Sequence, residues 1–163
     1  MDDVIDRAAG VSPGSALAEL RRQRPDVVRE AQASHEAVFE PANEGAISRA
    51  ERAAFGLRIA LLNDAPELAE HYRTRLTELG SGGTLAAIVA PGAPEPRDAR
   101  LAAIMTHVDM VTRAPGTATP EHLRRLAAVG LSPRDIVSLS QLIALVNYQV
   151  RVAAGLRLLG ASA

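Results

Sequence analysis

Between Ser48 and Leu76 two helix-start signals follow each other so closely that the chain must double back there. Ser48 with Glu51 three residues on is a capping box, whose hydroxyl and carboxylate satisfy free amides of a first helical turn. Ala54, Leu57, Ile59, Leu61 and Leu62 supply apolar positions for the helix body. Asp64, with Pro66 and Glu67 behind it, marks the next start, because proline fits a first turn where its missing N–H has no partner. These signals predict a helix-turn-helix with a polar corner. On its second helix Glu67 and His71 stand four apart and share a face.

The remaining chain carries the same signature. Hydrophobic residues make up 47% of the 163, but aromatics only 2%, so the core must come from alanine, leucine, valine and isoleucine. That mixture, with arginine and glutamate, favours helix. The prediction is an all-α fold in which residues 1–24 form an N-terminal arm with a short helix, and 25–160 form one helical domain. Within the arm, 1–14 reads as a loose segment ending in Pro13-Gly14, and Ser15 caps a helix over Ala16–Arg24. Further helices are expected over Asp26–Phe39, from Thr84 to Ala90, over Pro96–Thr112, and from Thr119-Pro120 to a stop at Gly130. Ser132-Pro133 opens the last and most apolar helix, running to about Leu159.

Several function classes fall away. Net charge is -1 and all 18 basic residues are arginine, so no basic excess points to nucleic acid or an anionic membrane surface. Without lysine there is no side-chain Schiff base, and without cysteine no thiol redox centre, disulfide or thiolate metal site. His35, His107 and His122 lack partners at ligand spacing, so no metal is expected, and His35 reads as a surface or interface residue. Met1-Asp2-Asp3 opens without an apolar segment, and Asn147, Gln149 and Arg151 interrupt the most apolar stretch. A soluble cytoplasmic protein is expected.

The central hairpin resembles the core of the alkylhydroperoxidase D-like and carboxymuconolactone decarboxylase superfamily. In that pattern a glutamate on one helix precedes a Cys-x-x-Cys-x-x-x-His segment at the start of the next. Glu51 and His71 match; neither cysteine is present. Counting back from His71 places Asp64 and Glu67 at the cysteine positions, whereas counting forward from Glu51 places Asn63 and Pro66 there. Both registers stay open. The second half is similar to peroxidase-related proteins of the same superfamily: His107, then Thr112-Arg113-Ala114-Pro115, then Leu126 through Gly130-Leu131-Ser132, then a final helix holding Asn147. The resemblance covers roughly residues 25–159. It implies a peroxiredoxin-type label, a trimeric or hexameric homo-oligomer, and a helical domain needing no cofactor for decarboxylase chemistry.

Each candidate residue has two readings. Glu51 either completes its capping box or faces and tunes His71, and His71 either serves as a general base or hydrogen-bonds Glu67 or Glu51. Asp64 reads as a helix cap before it reads as a site residue. Arg58 and Tyr72 flank the corner, where they bind an acidic substrate or, for Arg58, face solvent. Asn147 and Arg151, four apart on the apolar final helix, share a stripe that reads as a structural ion pair or subunit contact or as a substrate clamp; a buried Arg151 would need a carboxylate partner. Asn63, Asp64 and Glu67 complete the binding set. Three functions follow: a cofactor-free acid/base enzyme on a small organic acid or lactone through Glu51 and His71, a thiol peroxidase in name only, or a non-catalytic subunit partnering a cysteine-bearing relative.

Overall fold

A computed structural model of the chain describes residues 3–161. Its elements are α1 (Val4–Ala9), α2 (Ala16–Arg22), α3 (Pro25–Phe39), α4 (Arg49–Leu62), α5 (Pro66–Glu78), α6 (Thr84–Val89), α7 (Ala99–Arg113), a 3-10 turn at Pro115–Thr117, α8 (Pro120–Ala128) and α9 (Pro133–Ala161). Among the described residues there is no strand. The all-α reading holds.

The Ser48 capping box forms as the sequence dictates: Glu51 N–H donates to Ser48 Oγ, and the Glu51 carboxylate accepts from Ser48 N–H at 2.9 Å. Asp64 does not cap α5, whose N-cap is Ala65 without a side-chain hydrogen bond. Instead Asp64 takes the left-handed conformation (φ 52°) just beyond α4, while Ala65 N–H reaches back to Ala60 O at 3.0 Å. This is the helix-closing turn usually given to glycine, and aspartate is among the residues that tolerate it. The antiparallel α4–α5 hairpin is the most extensive pairing in the bundle.

Residues 1–14 are not wholly a loose arm. Asp3 accepts from Asp6 N–H at 2.6 Å to start α1, and Val4, Ile5, Ala8 and Ala9 are all buried against α9 and α5. Arg21 of α2 clamps both Asp3 and Asp6 at 2.7 Å. A six-residue helix is too short to be stable alone, so only these contacts hold it.

The 29 residues of α9 span about 43 Å at 1.5 Å per residue. Its polar members do not break its apolar character: by length and composition α9 meets the requirement for a membrane span, with mean hydropathy 1.3 over its most apolar stretch. In this fold Leu139, Leu142, Ile143, Val146 and Ala153 lie in the core, packed mainly by α1 and α4.

Where α4 and α5 come closest, Gly56 faces the ring of Tyr72. A Cβ at Gly56 would sit 2.8 Å from two ring carbons of a side chain with no solvent exposure. Gly56→Ala should therefore destabilise the fold by about 1–3 kcal/mol despite the better helix propensity of alanine. Urea unfolding of the variant beside the parent checks this, and equal midpoints would show that the hairpin has slack.

Candidate functional site

Helix α5 of the hairpin, α1 and α3 line an open cleft of about 420 Å³. His71 enters it from α5 and His35 from α3; their ring centroids are 5.3 Å apart. Phe39, one turn beyond His35 on α3, stacks on it at 4.6 Å. Arg7, Arg75, Glu36, Glu40 and Glu78 form the charged walls.

Behind the rings runs a buried polar chain. Tyr72 Oη donates to Gln149 Oε1 at 2.8 Å, and Gln149 Nε2 lies 3.1 Å from His35 Nδ1. Burial pushes the Tyr72 phenol well above its usual range, so it remains a donor. Burial also pulls both histidines down, His35 to about 3 and His71 to about 4, and the nearby Arg7 guanidinium acts in the same direction on each. Both rings are neutral at physiological pH. Among the described residues His71 has ring contacts with His35 and Tyr72 but no hydrogen bond.

The other expected site residues are engaged elsewhere. Glu51 does not face His71: beyond its capping bonds, its carboxylate accepts from Arg100 Nη1 of α7 at 2.6 Å. Arg58 is neither solvated nor turned to the cleft; it forms a two-pronged pair with Asp109 of α7 and donates to Val89 O at 2.9 Å. Asn63 donates to Ile59 O at 2.8 Å and to Asn147 Oδ1 at 3.2 Å, tying the end of α4 to α9. Asp64 is exposed at the corner. Glu67, rather than meeting His71, pairs with Arg157 of α9 at 2.8 Å.

Arg151 is not buried, and among the described residues it has no carboxylate partner. It is exposed and donates to Asn147 O of its own helix at 2.9 Å. Of the residues read as candidates, only His71 and Tyr72 line this cleft. His122 completes the α8 start by accepting from Thr119 N–H at 3.0 Å. No three His, Asp or Glu side chains converge in a metal-sized cluster among the described residues.

Two participants were not read from the sequence. His35 is 8% exposed and belongs to the core rather than the surface. The signal was available: Val28, His35 and Phe39 fall at i, i+7 and i+11, one stripe of α3, and all three are buried. Gln149 lies on the inward face of α9, a polar residue among apolar neighbours.

These features define an all-helical bundle in which a half-buried histidine of the helical hairpin meets a buried histidine of α3 at one edge. Its fold is similar to that of the crystal structure of an uncharacterized peroxidase-related protein from Silicibacter sp. TM1040, with a TM-score of 0.72 at 18% identity, over 80% of this chain and 68% of that one. At that identity the likeness is one of fold. No protein-family model matches the sequence, and no curated protein does.

The neutral histidines link the cleft to pH. Unfolded histidine protonates near 6.5, whereas the folded rings resist protonation until about 4 and about 3. The unfolded chain thus binds more protons as pH falls below 6.5, and stability present above that value is progressively lost. Urea unfolding should show a loss on the order of 5 kcal/mol between pH 7 and pH 4.5, divided about equally between the two rings. His35→Gln should flatten this dependence, and an equally steep profile in the variant would assign the loss to other groups.

Proposed function

We propose that this chain is a thiol-free protein of the alkylhydroperoxidase D-like and carboxymuconolactone decarboxylase type. It handles protons on a small organic acid or lactone, without a cofactor, through His71. The fold likeness supports the scaffold, and the resemblance of Glu51 and His71 to the superfamily pattern supports the class. The observation that carries the chemistry is the state of His71: a neutral imidazole, without a hydrogen bond among the described residues, at an open cleft.

Such a ring is unprotonated across the neutral range and free to accept a proton. Its low basicity weakens it as a base in the empty cleft. Negative charge developing on a bound ligand would raise that basicity, because an opposite charge within a few ångströms favours the imidazolium. Glu51 has no part in this step, since its oxygens are held by Ser48 and Arg100. Dithiol turnover is not proposed, because the chain has no cysteine to supply a thiolate.

A second reading has its own support. Glu51, which matches the glutamate of the superfamily pattern, and Asn63, which falls at a cysteine place in one of the two registers, are built into structural ties. That suits a non-catalytic subunit which keeps the scaffold beside a cysteine-bearing relative. Self-association fits either reading: Val137, Tyr148 and Leu159 recur every eleven residues along α9 and are 57%, 40% and 54% exposed.

Thermal shift against small organic acids and lactones tests the enzyme reading. Ligand at 100 times its dissociation constant stabilises a fold by about 2.7 kcal/mol, an easily measured shift. The parent and Glu51→Gln should both show it, although the variant starts about 1 kcal/mol less stable through its weakened cap and ion pair. His71→Ala should fold and lose it. Stabilisation that survives in His71→Ala and vanishes in Glu51→Gln would place the site elsewhere.

A further inference from the structure

Away from the histidine cleft, the outer face of α9 carries a repeat of its own. Val137, Gln141, Ala144, Tyr148, Arg151, Gly155 and Leu158 follow one another at alternating steps of four and three, and all of them are exposed. Over three heptads, about 32 Å at 1.5 Å per residue, they form one seam. A repeat of 3.5 residues is the pattern of a helix that packs along a second helix.

The seam is short of charge. Between Val137 and Leu158 the charged residues of α9 are Arg151 and Arg157, and Arg157 is engaged by Glu67 and Ala8 O. A helix face turned to water ordinarily carries charged and polar groups across its width. Here Val137, Tyr148 and Leu158 are 57%, 40% and 72% exposed. Tyr148, the largest ring on the seam, stands at its middle. Ala144 lies about one turn before it and Gly155 about two turns after, and a Cβ on Gly155 would meet nothing within 4 Å. Side chains this small let a partner helix come close.

Beside Ala144 and Tyr148, α3 and α9 leave a hollow of about 530 Å³, lined by Val27, Ala31 and Leu145 and by Asp26 and Glu30. Arg24 and Arg29 meet those two carboxylates at 3.4 and 2.8 Å, but both pairs are exposed, and exposed pairs contribute little. Arg151 has less: among the described residues its hydrogen bond goes to Asn147 O of its own helix.

A partner for this face must bring a similar apolar seam and a cation for the hollow. A second copy turned end for end brings both. About a two-fold axis near Tyr148, the Val137 end of one seam meets the Leu158 end of the other, and Arg151 of each falls beside Tyr148 and the hollow of the other. Parallel pairing would instead set Arg151 against Arg151, and like charges facing each other across an interface are unfavourable. We infer that a second copy of this chain docks on this face, α9 against α9 in antiparallel two-fold pairing, with Arg151 of each copy set against Asp26 and Glu30 of the other. This gives self-association a surface and a geometry, and it is independent of how the His71 cleft is read.

Light scattering of the full-length protein at micromolar concentration should give an even number of copies per particle, because an isologous contact joins copies in pairs. Tyr148→Glu should weaken the association about a hundredfold, since the axis brings each change in twice. Leu123→Glu, at an exposed leucine of α8, should leave it unchanged. Both positions are exposed, so both variants should keep the helical circular dichroism of the parent. Arg151→Glu should weaken the association, and Glu30→Arg in the same chain should restore it. The chain has no cysteine, so an introduced one reacts by itself. A short bis-maleimide should join Val137→Cys to Leu158→Cys in a mixture of the two variants, and join neither to its own kind. A monomeric or trimeric parent overturns the inference, and a monomer that sediments with phosphatidylcholine vesicles gives the face to a lipid surface instead. Tyr148→Glu with the mass of the parent, no rescue by Glu30→Arg, or Val137→Cys joined to itself overturns it as well.

Discussion

The hydroxyl of Tyr72 lies where water does not reach, and it can be accommodated only by the one amide that faces it. Its hydrogen bond to Gln149 joins α5 to α9, and the amide nitrogen carries the link on to His35 of α3. The ring itself needs the missing side chain of Gly56 to let α4 approach. Three helices and the closest contact of the hairpin therefore depend on one tyrosine. A buried polar chain of this kind is worth having only when every member is satisfied, since a broken link leaves a desolvated group behind.

The charged residues of the hairpin serve a second set of ties. Glu51 with Arg100 and Arg58 with Asp109 both join α4 to α7, and Asn63 with Asn147 joins the end of α4 to α9. Arg52, 2% exposed, donates to three backbone carbonyls of the preceding loop and helix, Ile47, Val38 and Glu44, each at 3.0 Å. A guanidinium that deep must have its donors matched, because an unpartnered buried charge costs several kcal/mol. The hairpin is thus fixed on the α7 side by polar bonds, and its other side is left to the histidine cleft.

This division of labour bears on function. A helical scaffold similar to that of a peroxidase-related protein carries no cysteine here, and Glu51 and Asn63 of the hairpin serve as joints to α7 and α9. Among the described residues His71 has no hydrogen bond, and it stands next to His35, whose Nδ1 faces the Gln149 amide. Burial keeps both rings neutral, so the two imidazoles face the cleft as donors or acceptors rather than as cations.

Local chemistry was enough to write down most of the helices. Capping boxes, prolines in first turns and closing glycines act within a few residues, and they placed α3, α4, α5, α8 and α9 to within one or two residues of their observed starts. The sequence by itself also determined an all-α fold with a core of small aliphatic side chains, and ruled out thiol chemistry. It did not determine α1, whose six residues hold only through contacts with α5 and α9. Nor did it determine which polar residues meet. Glu51 and His71 lie on adjacent helices, yet Glu51 turned to Arg100, 49 positions away, and Tyr72 found Gln149, 77 away. Helix periodicity says which face a side chain is on; only packing decides what faces it, because a buried polar group takes whichever partner the neighbouring helix brings within reach.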